Sequence, residues 1–438
     1  MKTNMQKYPA YKDSGVEWLG EIPSGWAEIK IKINSTIYNG DSLNENKKAK
    51  YESDDETHLA YISSKDIDLD TSIISYENGL RIPRNEPKYK VAKINSSLIC
   101  IEGGSAGRKI AFTNQDVCFV NKLACVSAKN NLNSKFLYYT LKGSLFQTQF
   151  KLAMSGMIGG VAISSINNFY ILIPPLPEQT AIAAFLDRKT TLIDQAIGIK
   201  QKQIELLKER RQIMIHKAVT RGLNPNVKLK DSGVEWIGEI PEHWEVRRIK
   251  TLTRVKRGAS PRPIDDPRYF NDNGEFAWVR IADVSSNDHY LINTVQKLSK
   301  LGSSLSVKIL PNELFISIAG TVGKPMISKI KCCIHDGFVY FPDLKMNLEY
   351  MYRIFETGQP YLGLGKHGTQ LNLNTETIGN IYIPLPPANI QNEIVCEVNN
   401  ISIKFANAIS LKEQEIEKLK EYKATLINSA VTGKIKVS

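Results

Sequence analysis

Two stretches of sequence decide the organisation of this chain. Residues 12–32 read KDSGVEWLGEIPSGWAEIKIK and residues 230–250 read KDSGVEWIGEIPEHWEVRRIK, with 14 of 21 positions identical at an offset of 218 residues. Chance does not produce such a match, and the offset far exceeds the ~20–50-residue period of solenoid repeats. The sequence therefore predicts a molecule built from two related halves.

The duplication continues more weakly outside these stretches. The weaker matches join Gly40 with Gly258, Asp66 with Asp283, Gly104–Arg108 with Gly320–Lys324, and Ile171–Pro174 with Ile381–Pro384. Their offset drifts from 218 to 210 residues, as changes in loop length would produce. Each half thus keeps the same order of short apolar runs and turns.

Each half ends in a long helical pattern, at about 178–220 and about 390–432. Apolar residues recur there at spacings of three, four or seven, which predicts a coiled-coil seam. The seam residues are Ile193, Ile197, Ile204, Leu207 and Met214 in the first pattern, and Phe405, Ile409, Ile416, Leu419 and Leu426 in the second. Unrelated surface helices would also carry apolar stripes, but the shared register favours two helices packed antiparallel, about 60 Å long at 1.5 Å per residue.

Cations interrupt both seams at matching places. Lys200 and Arg211 in the first pattern correspond to Lys412 and Lys423 in the second. Polar residues in a seam commonly fix its register and partner. We expect these four side chains to have that role.

The rest of each half contains short strand-like runs separated by Gly, Pro, Asn and Asp, such as 97–101 and 277–281. The predicted fold class is α+β: two mixed α/β domains separated by two long antiparallel helices in a pseudo-two-fold repeat. The predicted segments are 1–23 (N-terminal), 24–165 (head 1), 166–241 (central, with the first helix), 242–375 (head 2) and 376–438 (C-terminal, with the second helix). The heads differ from each other more than the flanking segments do, which suggests two different targets.

The composition favours a polyanion as partner. The formal net charge is +12 and the pI about 9.2, although a merely soluble basic protein would fit as well. No apolar run approaches the ~20 residues that span a bilayer, and residues 1–15 contain no apolar signal core. The six cysteines form no C-x-x-C pair, so we expect reduced, mostly buried thiols in a cytoplasmic protein with no metal.

Catalytic motifs do not emerge. The strings around Lys324 and Lys366 resemble phosphate loops but lack the G-x-x-x-x-G-K-[ST] spacing. The string Asn167–Tyr170 lacks the prolines of an adenine-methyltransferase motif, and neither G-x-S-x-G nor H-E-x-x-H is present. A binding protein is therefore favoured over an enzyme.

Basic loops are the candidate contacts to DNA. Gly-[Ser/Thr]-x-Gly-[Arg/Lys] occurs in both heads; its small residues would admit a phosphate to backbone N–H groups and the cation would neutralise it. A tight turn between strands would need the glycines but not the cation. The candidates are Arg81, Arg84, Lys88, Lys90, Ser105, Arg108 and Lys109 in head 1, and Arg257, Arg262, Arg268, Arg280, Thr321, Lys324, Lys366, His367, Gln370 and Asn372 in head 2.

These features together resemble the specificity subunit of type I restriction–modification systems. The resemblance rests on the twin segments Asp13–Trp26 and Asp231–Trp244, on Pro174–Gln179, and on the helix ends Ala218–Thr220 and Ala430–Thr432. It spans essentially the whole chain, and the tail after Ala430 is expected to be complete. One departure is the segment Pro386–Gln391, which has two extra residues relative to its counterpart, lacks a Glu-Gln pair, and predicts a different start for the second helix.

The resemblance implies that each head is a target-recognition domain reading one half of a split, asymmetric double-stranded DNA site. The helices would act as a ruler, with an unread spacer of about one DNA turn, and would dock two modification subunits, which restriction subunits would join. S-adenosylmethionine, ATP and Mg²⁺ would be bound by those partners, and this chain would hold neither cofactor nor catalytic residue. A stand-alone methyltransferase or restriction enzyme, and a scaffold with inert heads, are the alternatives.

Overall fold

The structure is a computed structural model that describes residues 6–15, 20–155, 159–362, 364, 366, 367, 370, 371 and 373–437. The chain divides into two compact units. Unit 1 comprises residues 1–201 and 413–438, and unit 2 comprises residues 202–412. Head 1 therefore shares its unit with the end of the chain, whereas unit 2 is a single continuous segment.

Short strands form the sheets of unit 1. They are β1 (Tyr11–Asp13), β2 (Glu21–Pro23), β3 (Ala27–Lys30), β4 (Ser35–Asn39), β5 (Leu59–Ile62), β6 (Arg81–Ile82), β7 (Val91–Ala92), β8 (Ser97–Cys100), β9 (Ile110–Phe112), β10 (Val117–Phe119), β11 (Leu123–Ala128) and β12 (Tyr170–Ile173). Head 1 contains two four-stranded sheets, ordered β6-β5-β10-β7 and β4-β11-β8-β9, in which only the described pair β5–β10 is parallel.

Unit 2 repeats this plan. Its strands are β13 (Leu229–Asp231), β14 (Glu239–Pro241), β15 (Glu245–Arg248), β16 (Lys256–Arg257), β17 (Phe276–Val279), β18 (Tyr290–Leu291), β19 (Gln296–Leu298), β20 (Val307–Ile309), β21 (Leu314–Ser317), β22 (Pro325–Ser328), β23 (Cys332–Ile334), β24 (Phe338–Tyr340), β25 (Lys366–His367), β26 (Gln370–Leu371) and β27 (Tyr382–Leu385). Head 2 has sheets ordered β16-β24-β21-β22-β18 and β19-β17-β23-β20, and β17 pairs in parallel with β23 as β5 does with β10.

Two helices are much longer than the rest. The helices are α1 (Glu45–Tyr51), α2 (Ser134–Lys142), α3 (Ser144–Leu152), α4 (Ile163–Ile166), α5 (Leu176–Arg221), α6 (Ile249–Leu252), α7 (Ile281–Ser286), α8 (Lys300–Ser304), α9 (Leu348–Glu356), α10 (Thr375–Gly379) and α11 (Ala388–Val431). Gly222 and Gly433, at φ +74° and +72°, follow the long helices, where a left-handed residue commonly ends a helix. No helix in the described parts of the chain is long and apolar enough to cross a membrane.

The long helices pack antiparallel inside each unit, as predicted. In unit 1, Lys200 Nζ lies 2.5 Å from Glu415 Oε2, and Lys423 Nζ lies 2.7 Å from both carboxylate oxygens of Asp194. In unit 2, Arg211 reaches Ser402 at 3.3 Å. Ile193, Ile204, Ile416 and Leu426 are buried, and the other six predicted seam residues are half-buried. Both helices thus turn the predicted stripe away from solvent.

The prediction of a different start for the second helix is wrong. Tyr170 pairs with Lys30 in the β12–β3 ladder, and Tyr382 pairs with Arg248 in the β27–β15 ladder. Tyr170 therefore corresponds to Tyr382, at an offset of 212, and both long helices begin the same distance after their strand. The sequence match of Ile171–Pro174 with Ile381–Pro384 was two residues out of register. A shift of two residues keeps the same side chains on each face of a strand, so the apolar pattern could not reveal the error.

The correct register shows that Gln391 is the counterpart of Gln179. Each glutamine is buried and accepts the backbone N–H of an asparagine that caps a head helix: Asn133 before α2 and Asn347 before α9, at 2.8 Å in both cases. The side-chain amide donates to a carbonyl of the proline segment, of Pro174 at 2.9 Å or Pro386 at 2.8 Å. The two units share this junction between head and long helix.

Candidate nucleic-acid interface

The Gly-x-x-Gly segments are hairpin turns in both heads. Residues 101–109 join β8 to β9, and residues 318–324 join β21 to β22. Gly107 and Gly323 have φ of +73° and +86°, and a Cβ added at either would come within 3 Å of an aromatic ring, of Phe150 or Tyr361. Gly107 and Gly323 are thus required both by backbone conformation and by packing, as the turn interpretation predicts.

The cations in these turns have different surroundings. Arg108 is exposed, and its guanidinium donates to the carbonyl of Gly104 in its own turn. Lys109 is half-buried, and its ammonium donates to the carbonyl of Ser64 at 2.7 Å. Lys324, also half-buried, donates to the carbonyl of Asn287 at 2.6 Å. The structure therefore ties Lys109 and Lys324 to a second loop and leaves Arg108 at the surface.

The second loop follows the central strand β5 or β17. Asp66 accepts the backbone N–H of Ser63 at 2.7 Å, and Asp283 accepts that of Arg280 at 2.9 Å. In head 2, the hydroxyl of the exposed Thr321 lies 2.9 Å from that of Ser285, which links the hairpin turn to this loop again. Ser105 is half-buried, and its carbonyl accepts the N–H of Arg108. The structure thus brings Ser105, Arg108 and Lys109 together in head 1, and Arg280, Thr321 and Lys324 in head 2.

Two further arginines converge on Asp336 in head 2. Arg257 Nε donates to the Asp336 carbonyl at 2.5 Å, and an Arg262 N–H donates to its carboxylate at 3.0 Å. Although burial opposes it, the Ser260 hydroxyl and the Arg262 charge hold the pKa of the Asp336 carboxyl below its usual value. Both guanidinium groups are largely exposed, so this pair presents positive charge to solvent.

The remaining basic candidates form local contacts. The Arg268 guanidinium donates to the Asp266 carboxylate, with 2.6 Å between Arg268 Nη2 and Asp266 Oδ2. This hydrogen bond raises the pKa of Arg268 and lowers that of Asp266. Arg84 donates to the carbonyl of Thr57 at 2.9 Å, and Lys90 to that of Asn39 at 3.0 Å. Arg81 is half-buried and Lys88 is exposed. Lys366, His367 and Gln370 lie in the β25–β26 hairpin, of whose side chains nothing is described, and Asn372 lies outside the described residues.

Sequence reasoning missed two exposed residues next to these turns. Lys65 and Ser285 lie in the segments to which Lys109 and Lys324 are hydrogen-bonded, and neither belongs to a basic cluster or a glycine motif. The repeated Asp66 and Asp283, each four residues beyond a strand end, were the available signal, because aspartate side chains commonly close turns by bonding nearby backbone N–H groups. Across the described residues, no group of three or more His, Cys, Asp or Glu side chains could hold a metal ion.

A family model assigns the class of this molecule. The model of the type I restriction modification DNA specificity domain matches the chain twice, at residues 23–209 and 241–421. The chain belongs to this family, and its role as a specificity subunit, predicted from the twin motifs, is confirmed.

Individual relatives support the same family. The chain is 26% identical over 435 residues to the putative type I restriction enzyme MjaX specificity subunit of Methanocaldococcus jannaschii, with 96% of each chain covered. It is 27% identical over 375 residues to the MjaVIII specificity subunit of the same organism, covering 80% of this chain and 81% of that one. The similarity to the first of these relatives thus extends over nearly the full length of both chains.

Solved structures share the fold. One, described as the structural basis of complex assembly and conformational transition of the type I R-M system, has a TM-score of 0.71 at 17% identity and covers 94% of this chain and 99% of its own. The HsdS subunit from Thermoanaerobacter tengcongensis has a TM-score of 0.51 at 18% identity, covering 94% and 98%. These likenesses confirm the predicted fold class.

Proposed function

We propose that each head reads one half of a split, asymmetric DNA site and that the chain itself is not catalytic. The observation that supports this most directly is the contrast between a repeated scaffold and divergent loops. The Asp-capped turn and the Gly-x-x-Gly hairpin recur in both heads, while the side chains that they expose differ. Different exposed side chains on one scaffold suit two different half-sites, because base edges are distinguished by the groups that contact them.

The proposal includes the partners. Two modification subunits dock on the two equivalent junctions of head and long helix, and restriction subunits join that assembly. S-adenosylmethionine, ATP and Mg²⁺ are then bound by the partners. An unread spacer of about one DNA turn between the half-sites completes the proposal.

Affinity comes mainly from the basic loops. Lysine and arginine side chains displace counterions from DNA phosphates, so binding weakens steeply as salt rises. Phosphate contacts fix the position of a head on the duplex, and contacts to base edges supply the sequence preference. The net charge of +12 suits this division of labour.

Selection from a DNA library tests the proposal. The chain is combined with its modification subunits and used to select from duplexes that carry random half-sites and random spacers. We expect enrichment of one split motif with a fixed spacer. A complex that enriches no motif would show that the heads are inert and that the chain is a scaffold.

A second assay separates the chain from an enzyme. The purified chain alone is incubated with DNA and labelled S-adenosylmethionine, and the same mixture with modification subunits is the positive control. We expect label in DNA only when the partners are present. Methyl transfer by the chain alone would overturn the non-catalytic assignment.

A further inference from the structure

Two segments meet at one edge of each head. In head 1 they are the loop 63–66 after β5 and the hairpin turn 103–109; in head 2 they are residues 280–287 after β17, which include the short helix α7, and the hairpin turn 320–324. We call these the reading edges. An ammonium–carbonyl hydrogen bond joins the two segments in each edge, from Lys109 to Ser64 or from Lys324 to Asn287, and in head 2 the Thr321 and Ser285 hydroxyls, 2.9 Å apart, join them as well.

The anchors of the first turn are the same in both heads. Ile62 and Ile67 are fully buried on either side of the head 1 loop, and Val279 and Val284 are fully buried at the corresponding positions of head 2. The aspartate that closes the turn is also repeated. The start of this segment is therefore anchored and closed in the same way in the two heads, and in head 2 it continues as helix α7.

The residues between the anchors differ. Ser63 and Lys65 of head 1 correspond to Arg280 and Ala282 of head 2. Lys65 and Ala282 are exposed, and Arg280 is half-exposed with its Nε 3.6 Å from the Asp283 carboxylate. These positions combine a fixed backbone with variable chemistry, which is the combination that a reader of base edges needs.

Lys109 and Lys324 each donate a hydrogen bond to a backbone carbonyl of the protein, that of Ser64 and that of Asn287. Each is half-buried, and each bond is 2.7 Å or shorter, so turning the ammonium toward a phosphate would break the contact that holds the two turns together. Arg108 is exposed, and among the described residues its guanidinium is hydrogen-bonded within its own turn, to the carbonyl of Gly104, so its charge can reach DNA without disturbing the second loop.

We propose that the reading edges contact DNA and that Lys109 and Lys324 are positioning residues rather than phosphate contacts. Arg108 is then the phosphate contact of the head 1 edge, and Lys65 and Arg280 are specificity-determining side chains. This inference rests on the proposed DNA-reading function and names the part of each head that performs it.

Neighbouring cations in head 1 provide a matched test. Arg108→Gln and Lys109→Gln each remove one positive charge from adjacent residues, and Lys109→Arg keeps a donor that can reach the carbonyl of Ser64. Each variant is measured as the complex with modification subunits on its selected split site, between about 50 and 200 mM salt. Base preference is measured in parallel with every single substitution in both half-sites.

The expected results separate the two roles. Arg108→Gln should lower the slope of log affinity against log salt by about 0.9, the value of one phosphate contact. Lys109→Gln should leave the slope unchanged, weaken binding on the order of tenfold through the lost hydrogen bond, and reduce discrimination in one half-site. Lys109→Arg should restore affinity and discrimination.

Each alternative outcome refutes a defined part. A slope lowered by Lys109→Gln as much as by Arg108→Gln would make Lys109 a phosphate contact, and an unaltered slope with unaltered base preference in both variants would remove the edge from the DNA interface. If Lys109→Gln does not fold, as judged by its thermal unfolding, Lys324→Gln in head 2 tests the positioning role by the same two measurements, with the Thr321–Ser285 contact left in place, and should leave the salt slope unchanged while reducing discrimination in one half-site. A parent complex that selects no split site refutes the proposed function itself.

Discussion

Gly107 shows how one residue fixes the hairpin turn of head 1. Its φ of +73° lies in the left-handed region that side chains disfavour, and a Cβ there would lie 2.7 Å from the Phe150 ring. Gly104 in the same turn has open space around its Cα and no positive φ. Gly107 is therefore needed for the shape of the turn, whereas Gly104 is not constrained in this way.

We predict that Gly107→Ala lowers the free energy of unfolding by roughly 2–3 kcal/mol, because backbone strain and overpacking add. The matched control Gly104→Ala should change it by less than about 0.5 kcal/mol. Denaturant unfolding of the two variants and the parent measures both values. Equal effects at the two positions would show that the aromatic contact does not constrain the turn.

Lys142 is a half-buried cation in unit 1. Its ammonium donates to the hydroxyls of Ser72 and Tyr138, both at 2.8 Å, and burial lowers the pKa of Lys142 from its ordinary 10.5 to about 8. Between these values the unfolded chain binds more protons than the folded one, so the free energy of unfolding rises with pH in that window. The penalty of the buried charge is present in full below pH 8 and is gone above the unfolded pKa.

We expect Lys142→Met to remove this dependence. The free energy of unfolding of the parent, relative to the variant, should rise by about 3 kcal/mol across the window from pH 8 to 10.5 and stay flat well below pH 8. Denaturant titrations at several pH values measure the difference, and the exposed Lys129→Met is the control with no expected trend. Parallel curves for the parent and Lys142→Met would contradict the prediction.

Residue identities predicted part of the candidate site. The glycine motif predicted the positions of both hairpin turns, because a turn with a left-handed residue favours glycine at that position. The lysines that follow it are indistinguishable by type from phosphate contacts, and only the fold brings the carbonyls of Ser64 and Asn287 within their reach. The DNA contacts of Arg257, Arg262 and the other basic candidates remain predictions.

At the scale of elements, the junction between head and long helix depends on one buried glutamine in each unit. Gln179 and Gln391 each bond a backbone N–H of the head and a carbonyl before the helix. These backbone groups are part-buried or buried, so loss of the side chain leaves them without their partner, which costs far more than an exposed hydrogen bond would.

We predict that Gln179→Ala and Gln391→Ala each lower the free energy of unfolding by about 2 kcal/mol. The exposed Gln203→Ala, within the same helix as Gln179, should have an effect near zero. Thermal or denaturant unfolding gives the comparison. A loss at only one of the two positions would contradict the equivalence of the two junctions.

The long helices were predictable because heptad spacing is a local property of the sequence, and they begin and end within about two residues of the prediction. The equivalence of Gln179 and Gln391 was not predictable from the local pattern. Proline spacing favoured a match two residues out of register, and only the hydrogen-bonded ladders of Tyr170 and Tyr382 correct it.

At the scale of the whole molecule, the duplication predicts that the heads read independently. Lys65→Gln lies in head 1 and Arg280→Gln in head 2, on the two reading edges. Each variant complex should alter affinity or base preference at one half-site and leave the preference at the other unchanged. Library selection with both variants and the parent measures this. Changes in the same half-site for both variants would contradict one head for each half-site.

The sequence predicted two halves but not which residues form each compact unit. The repeat divides the chain into consecutive segments, whereas unit 1 combines residues 1–201 with residues 413–438. Leu426 and Ala430 belong to the core of head 1, although some 280 residues separate them from Phe146 in the same cluster. A local pattern shows that a helix has an apolar face but not which distant surface that face will meet.

The divided make-up of unit 1 sets an order for its synthesis. Unit 2 is contiguous, so it can close as soon as residue 412 has left the ribosome. The first part of unit 1 ends at residue 201 and lacks the segment that covers it until residues 413–431 emerge, roughly 10–40 s after residue 201 at about 5–20 residues per second. The first half of the polypeptide to be translated is therefore the last to be finished, and the apolar patch that awaits Leu426 and Ala430 is open to chaperones throughout that interval.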